Sequence, residues 1–252
     1  MRKLLSLIVV LFLVFPAYTW AGVRVRIGTD RVRWKIVSSL TKARINLAAP
    51  ILVGCTGTND GSASAQTTIS INVGTGPNRA IIVQAGNDRS SSETVSSMTY
   101  AGRSMTSSGI SITTAFYDTV YYLSNPTSGT NNLVINWSGS GTALRGIITT
   151  VWNNVDVATP ISGATSNTAG GTSISTNVTS RNGDVVLDFT NTDSGAYWTP
   201  DATQTNTCQT SFAFRRQSTK PGGTSTTMAW TGLNSFVGQI ALSVRGARYY
   251  QP

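Results

Sequence analysis

Few residues in this sequence could carry chemistry, and their types narrow what that chemistry could be. The 252-residue chain contains no His, which removes the usual general base, metal ligand and activator of a nucleophile. A polysaccharide hydrolase needs two carboxylates across a cleft. Its one Glu, Glu93, follows Asp88 in the loop "AGNDRSSSE". With Asn87 and backbone carbonyls, Asp88 and Glu93 form a calcium candidate, since hard cations take oxygen ligands; read plainly, they are turn residues. Lys220 is the one Lys after residue 44, in the turn "TKPGG", and no Ser is paired with a base by spacing. "AGGTS" lacks the Lys that completes a phosphate-binding loop. No catalytic residues are assigned and no cofactor is expected; a polysaccharide-degrading enzyme using Asp or Glu stays as an alternative.

Binding chemistry is better represented. "NTDSGAYWTPDATQTN", Asn191 to Asn206, is long for a connection between strands. It brings Tyr197 and Trp198 together with Asp193, Asp201, Gln204 and Asn206. Aromatic faces stack on sugar rings while carboxylates and amides bond hydroxyls, so these six residues are the glycan-binding candidate. The competing reading has Trp198 closing the open end of a sandwich. A second candidate is basic. Of the net charge of +9, seven basic residues fall between Gly22 and Arg44. In "VRVRIGTDRVRWKIV", Arg24, Arg26, Arg31, Arg33 and Lys35 alternate with apolar residues around Gly-Thr-Asp, the pattern of a β-hairpin with one basic face. Such a face suits an acidic surface, and equally serves to keep sheet edges apart. Specific nucleic-acid recognition is not expected.

Two Cys, Cys55 and Cys208, are too few for a structural zinc site. A disulfide, two free thiols, and lipidation at the lipobox-like Leu52-Val53-Gly54-Cys55 are the three readings. The first bears on where the protein goes. "MRKLLSLIVVLFLVFPAYTWA" has a basic start, an apolar run broken by Pro16 and a small-residue site at Thr19-Trp20-Ala21. It reads as a secretory signal peptide over 1–21, leaving no transmembrane span in the mature chain.

The elements that must position these residues are strands. Charged residues are 12% of the chain, and Ser, Thr, Asn and Gly supply the polarity, which suits half-buried strands and turns. Short apolar runs such as "AQTTISINV", "RAIIVQAG", "NLVINW" and "DVVLDF" recur between turn clusters. About eleven such runs with no helical spacing between them predict an all-β fold. The expected form is an antiparallel two-sheet β-sandwich, jelly-roll-like, of about 10–11 strands. "FYDTVYYL" is apolar on both faces and should be covered on both. The expected division is a basic arm or linker over 22–61, the sandwich over 62–246 and a C-terminal tail over 247–252. "SNPTSGTN", between "FYDTVYYL" and "NLVINW", carries no charge and no aromatic and reads as a connection between paired strands.

"VYYLSNPTSGTNNLVINWSGSGTALRGIITTVWNNVDVATPI" resembles an uncharacterised extracellular β-sandwich domain of secreted and surface proteins from bacteria and related genomes. Its mark is an aromatic-x-x-Val-Asp-x-x-x-Pro element, here Trp152, Val155, Asp156 and Pro160. The resemblance implies an extracellular module and supplies no catalytic residues. The expected function is a secreted, non-catalytic surface, adhesion or glycan-binding module. Its partners would be extracellular or cell-surface glycan, or neighbouring subunits, with an acidic surface met through the arm. A structural protein of a virion or appendage is the other alternative.

Overall fold

A computed structural model describes residues 45–62, 64–87, 92–113, 116–139, 144–192, 198–210 and 215–250. Residues 1–44, which include the expected signal peptide and Arg24, Arg26, Arg31, Arg33 and Lys35 of the arm, lie outside the described residues. Every regular element described is a strand. In chain order these are β1 (Ile45–Ala48), β2 (Ile51–Asp60), β3 (Gln66–Val73), β4 (Ala80–Asn87), β5 (Val95–Tyr100) and β6 (Arg103–Ser104). Next come β7 (Thr106–Ile112), β8 (Asp118–Ser124), β9 (Gly129–Trp137), β10 (Arg145–Asn153), β11 (Ile161–Val178) and β12 (Val185–Thr192). The last are β13 (Thr199–Pro200), β14 (Thr205–Gln209), β15 (Arg215–Pro221), β16 (Thr226–Val244) and β17 (Ala247–Tyr250).

The antiparallel sandwich expected from the sequence is present, with a third layer. A five-stranded sheet, β2-β10-β4-β8-β7, lies between a four-stranded sheet, β3-β9-β5-β6, and a six-stranded sheet, β11-β16-β12-β15-β14 with β13 against β16. The reason is in the sequence of the middle strands. β4 is buried along its whole length, so its consecutive apolar residues Ala80 to Val83, with Ala85, need cover on both faces. Ile81, Val83, Ala85, Ile147 and Val151 pack on Ile71, Met98, Tyr100, Leu133, Ile135 and Trp137 of the four-stranded sheet. Ala80, Ile82, Val120, Ile148 and Trp152 face the other way, onto Leu187, Phe189, Ile240, Leu242 and Val244. β8 shows the same division, with Leu123 in the first core and Val120 in the second.

β11 and β16 form one long ribbon, from Ile161 opposite Val244 to Val178 opposite Thr226. The pairing is interrupted between Gly171 and Ser173, beside Gly171 and Gly232, whose φ angles of 141° and 84° favour glycine. Beyond this point the ribbon folds back. Met228 packs on Val186 and Ala241, and Gln239 Nε2 donates to the Met228 carbonyl at 3.2 Å. The outer face of the six-stranded sheet is therefore partly covered by its own strands.

Three expectations about organisation change. The sandwich starts well before residue 62: β2 pairs with β10 from Ile51–Asn153 to Asp60–Arg145. The segment after Gly246 is no loose tail, because β17 pairs with β1. The loop "SNPTSGTN" joins β8 to β9, which belong to different sheets, so it carries the chain across layers and does not connect paired strands.

Candidate functional site

The densest cluster of charge lies at one end of the sandwich. Register places Arg145 of β10 beside both Asn87 and Asp60, and Asn191 of β12 beside Arg215 of β15. Gly86 and Gly146 are cross-strand partners in the central sheet. A Cβ on Gly86 would strike Asp118, and one on Gly146 would strike Arg215. The two glycines open a slot in the sheet face, and the Asp118–Arg215 ion pair fills it. Arg215 Nε and Nη2 donate to Asp118 Oδ1 at 3.3 and 3.1 Å. Arg215 Nη2 also donates to the Asn87 carbonyl at 3.0 Å, and Asn191 Nδ2 donates to Asp118 Oδ2 at 2.8 Å. Both side chains of the pair are about 98% buried or more.

Arg145 builds a matching centre toward the four-stranded sheet. Its Nε and Nη2 donate to Glu93 Oε2 at 3.2 and 3.0 Å, and its Nη1 donates to the Ser64 carbonyl at 2.5 Å. The guanidinium carbon stands 4.7 Å from the centre of the Trp137 ring, within cation–π range. Asp60 lies 3.9 Å from Nη1 and accepts the Thr67 hydroxyl, which in turn accepts Trp137 Nε1 at 2.9 Å. Burial raises the Asp60 carboxyl, but the bonds from Thr67 and Ser62 and the charge of Arg145 outweigh it and hold the group below the usual Asp range. Each arginine thus ties the central sheet to one of its neighbours.

This arrangement is suited to holding layers together. Glu93 and Asp118, the buried acids nearest each other in role, each face a guanidinium, which leaves neither placed as a general acid or base. Beside Asp118 is a cleft of about 200 Å³ lined by Thr94, Val95, Ser111, Ile112, Tyr117 and Thr119 among others. It is smaller than the roughly 300–1,000 Å³ usual for a ligand pocket.

No known family, curated protein or solved structure matches this chain. The resemblance to an extracellular sandwich domain therefore rests on its motif alone. That motif is structural here. Trp152 is buried in the second core, Val155 bridges to Gly246, and Asp156 accepts the Ala158 and Thr159 amides to form the turn.

The expected site residues fare unequally. Trp198 is 1% exposed. Its ring packs 6.0 Å from that of Trp230, with Ile174 and Val237. A stacking platform for sugar is thereby corrected to a core residue, because both faces are taken by packing. Gln204 is also drawn inward: its Nε2 donates to Ser218 Oγ at 2.7 Å and its Oε1 accepts the Ala229 amide at 2.6 Å. Asp201 and Asn206 are exposed. Asp201 caps its own turn by accepting the Thr203 amide at 3.0 Å, and Thr203 holds its carboxyl below the usual range. Asp193 and Tyr197 lie outside the described residues.

Of the calcium candidate, two residues are described, and both are engaged within the chain. Glu93 is bound by Arg145, Asn87 Nδ2 donates to the Glu93 carbonyl at 2.5 Å, and Asp88 lies outside the described residues. Among the described residues no cluster of three or more His, Cys, Asp or Glu could hold a metal ion. Cys55 and Cys208 are bonded, with Cα atoms 6.2 Å apart. The bond joins β2 to β14, edge strands of two different sheets, so neither free thiols nor lipidation describes them.

Sequence reasoning missed the buried charges. Alternation in "DVVLDF" sets Asp188 on the face opposite Val185, Leu187 and Phe189, and there it is fully buried beneath the folded ribbon. It accepts the Ser218 amide and hydroxyl at 3.1 and 2.6 Å, Trp230 Nε1 at 2.7 Å and Gln239 Nε2 at 2.8 Å. Burial pushes its carboxyl above the usual range despite these four donors. The available signal was compositional: with so few charges in the chain, one inside an apolar run is worth following.

Proposed function

We propose that the protein is an exported, non-catalytic surface module that adheres through the faces of its sandwich. One observation carries this reading. Each of the seven described carboxylates, Asp60, Glu93, Asp118, Asp156, Asp184, Asp188 and Asp201, accepts a hydrogen bond from within the chain. The acids are thus used for architecture, which favours a scaffold over a hydrolase built on a carboxylate pair. The leader-like segment and the cross-sheet disulfide support export, since such bonds persist in oxidising compartments.

The four-stranded sheet offers the contact face. Across β3, β9 and β5 its outward residues are mostly amides and hydroxyls: Gln66 Nε2 donates to Asn136 Oδ1 at 2.9 Å, and Asn136 Nδ2 donates to Ser97 Oγ at 2.8 Å. An uncharged ladder of this kind suits the hydroxyls of a neutral glycan. Isolated bacterial cell envelopes and insoluble polysaccharides should deplete the protein from solution, with little effect of salt and no release of reducing ends. Release of reducing ends would establish the hydrolase instead, and failure to bind any of them would remove the adhesive reading.

A further inference from the structure

The edges of the three sheets are treated differently. β2, an edge of the central sheet, is fastened to β14, an edge of the six-stranded sheet, by Cys55–Cys208. At the opposite edges β7 lies along β11, where Ser166 Oγ reaches the Ser111 carbonyl at 3.5 Å. These four strands protect one another. In the four-stranded sheet, one edge is β6, only two residues long and carrying the exposed Arg103. Short length and charge both blunt an edge. The other edge is β3, and it has none of these devices. Its eight residues, "QTTISINV", contain no charge and no Pro. They pair with β9 through eight consecutive partners, Gln66–Asn136 to Val73–Gly129, without a bulge. Among the described residues β3 pairs with β9 alone.

A long, regular, uncharged edge presents free backbone groups to any strand that matches its pleat. The side chains of β3 indicate which strand that is. Thr67, Ile71 and Val73 point to the core and are buried, whereas Gln66, Thr68, Ser70 and Asn72 are exposed. Ile69 points inward with the first group but is left half-exposed. The pattern is the same read in either direction from Ser70. We propose that two copies of this chain pair antiparallel through β3, about a two-fold axis at Ser70. Directly opposite residues then point to the same face, as an antiparallel ladder requires. Ile69 meets Ile71 of the second copy and Thr67 meets its Val73, which covers the half-exposed isoleucine. On the outer face Ser70 meets Ser70 and Thr68 meets Asn72, with no like charges opposed. The interface is isologous and closes at two copies, making one continuous eight-stranded sheet. The pairing stands independently of any glycan binding.

Sedimentation velocity of the full chain, with its disulfide intact, should show a concentration-dependent shift from one chain to two. The double variant Thr68→Lys, Ser70→Lys places two lysines face to face at the axis and should sediment as one chain at the same concentrations. Both substituted positions are exposed, so its circular dichroism should match the wild type. Ser70→Cys should form a covalent dimer on mild oxidation, whereas Ser96→Cys, exposed on β5 of the same sheet, should not. The proposal is overturned if the wild type sediments as one chain throughout, if the double-lysine variant still dimerises, or if the two cysteine variants cross-link equally.

Discussion

Removing Arg215 while keeping Asp118 tests whether the ion pair in the glycine slot holds the layers together. Arg215→Met retains much of the side-chain volume but deletes three N–H donors, two to Asp118 and one to the Asn87 carbonyl. Asp118 would then be a buried carboxylate with the Asn191 amide as its remaining donor of those described above. Breaking a buried pair in this way costs roughly 3–5 kcal/mol, because the surviving charge is left without compensation. Equilibrium urea unfolding of the disulfide-intact protein should show the midpoint falling by about 1 M or more, given m of roughly 1–3 kcal/mol/M. Adding Asp118→Asn removes the stranded charge and leaves a polar side chain able to accept from Asn191. The double variant should therefore recover a large part of the loss, with a coupling energy of about 1.5 kcal/mol or more. A cost below about 1 kcal/mol for Arg215→Met, or a double variant equal to the sum of its singles, would refute the pair as a fastening between sheets.

Three further outcomes are expected. Reduction of Cys55–Cys208, whose residues are 153 apart in sequence, should lower stability by about 2–4 kcal/mol, read as a drop in Tm; equal melts with and without reductant would deny it that role. Trp198→Ala should cost roughly 3–5 kcal/mol by leaving a cavity against Trp230. It should leave envelope binding unchanged in the folded protein, so selective loss of binding would return the ring to a site. For Asp188, a raised native pKa means that the folded state holds the proton more tightly than the unfolded chain. Its contribution is complete below the ordinary Asp value and is lost as pH rises through the raised one. Asp188→Asn should flatten that part of the dependence in thermal melts taken upward from about pH 4, and an unchanged slope would count against the assignment.

Much of the scaffold was legible because strand signals are local. Leu133, Ile135 and Trp137 share a face in the sequence and a core in the fold, and the double-sided "FYDTVYYL" run does lie between two cores. The same locality explains what was lost. Alternation tells which residues share a face of one strand but not what lies over that face, so it sets Asp188 opposite the apolar residues without showing that a distant piece of β16 covers it. β2, "ILVGCTGTND", carries a weak signal because Gly and Thr interrupt its apolar positions, and it is only half-buried, held by pairing with β10 and the disulfide to β14. Trp198 sits in a polar stretch whose composition suits a loop, yet its environment is set by Trp230, far along the chain. The Gly86–Gly146 slot is invisible in sequence, since each glycine has meaning only beside the other and beside the pair that occupies the space.

The pairing of β1 with β17 brings the first and last described strands of the body side by side. A domain whose two ends meet can be spliced into a surface loop of another protein without stretching either chain. It can also be tethered from one point while presenting everything else outward. For the same reason the order in which its strands are threaded is not tied to where the chain is cut. Joining residue 250 to residue 45 through a short linker and opening a connection elsewhere changes the numbering of the strands but not their neighbours. What nature or an engineer attaches at that seam is thus largely independent of the three stacked sheets behind it.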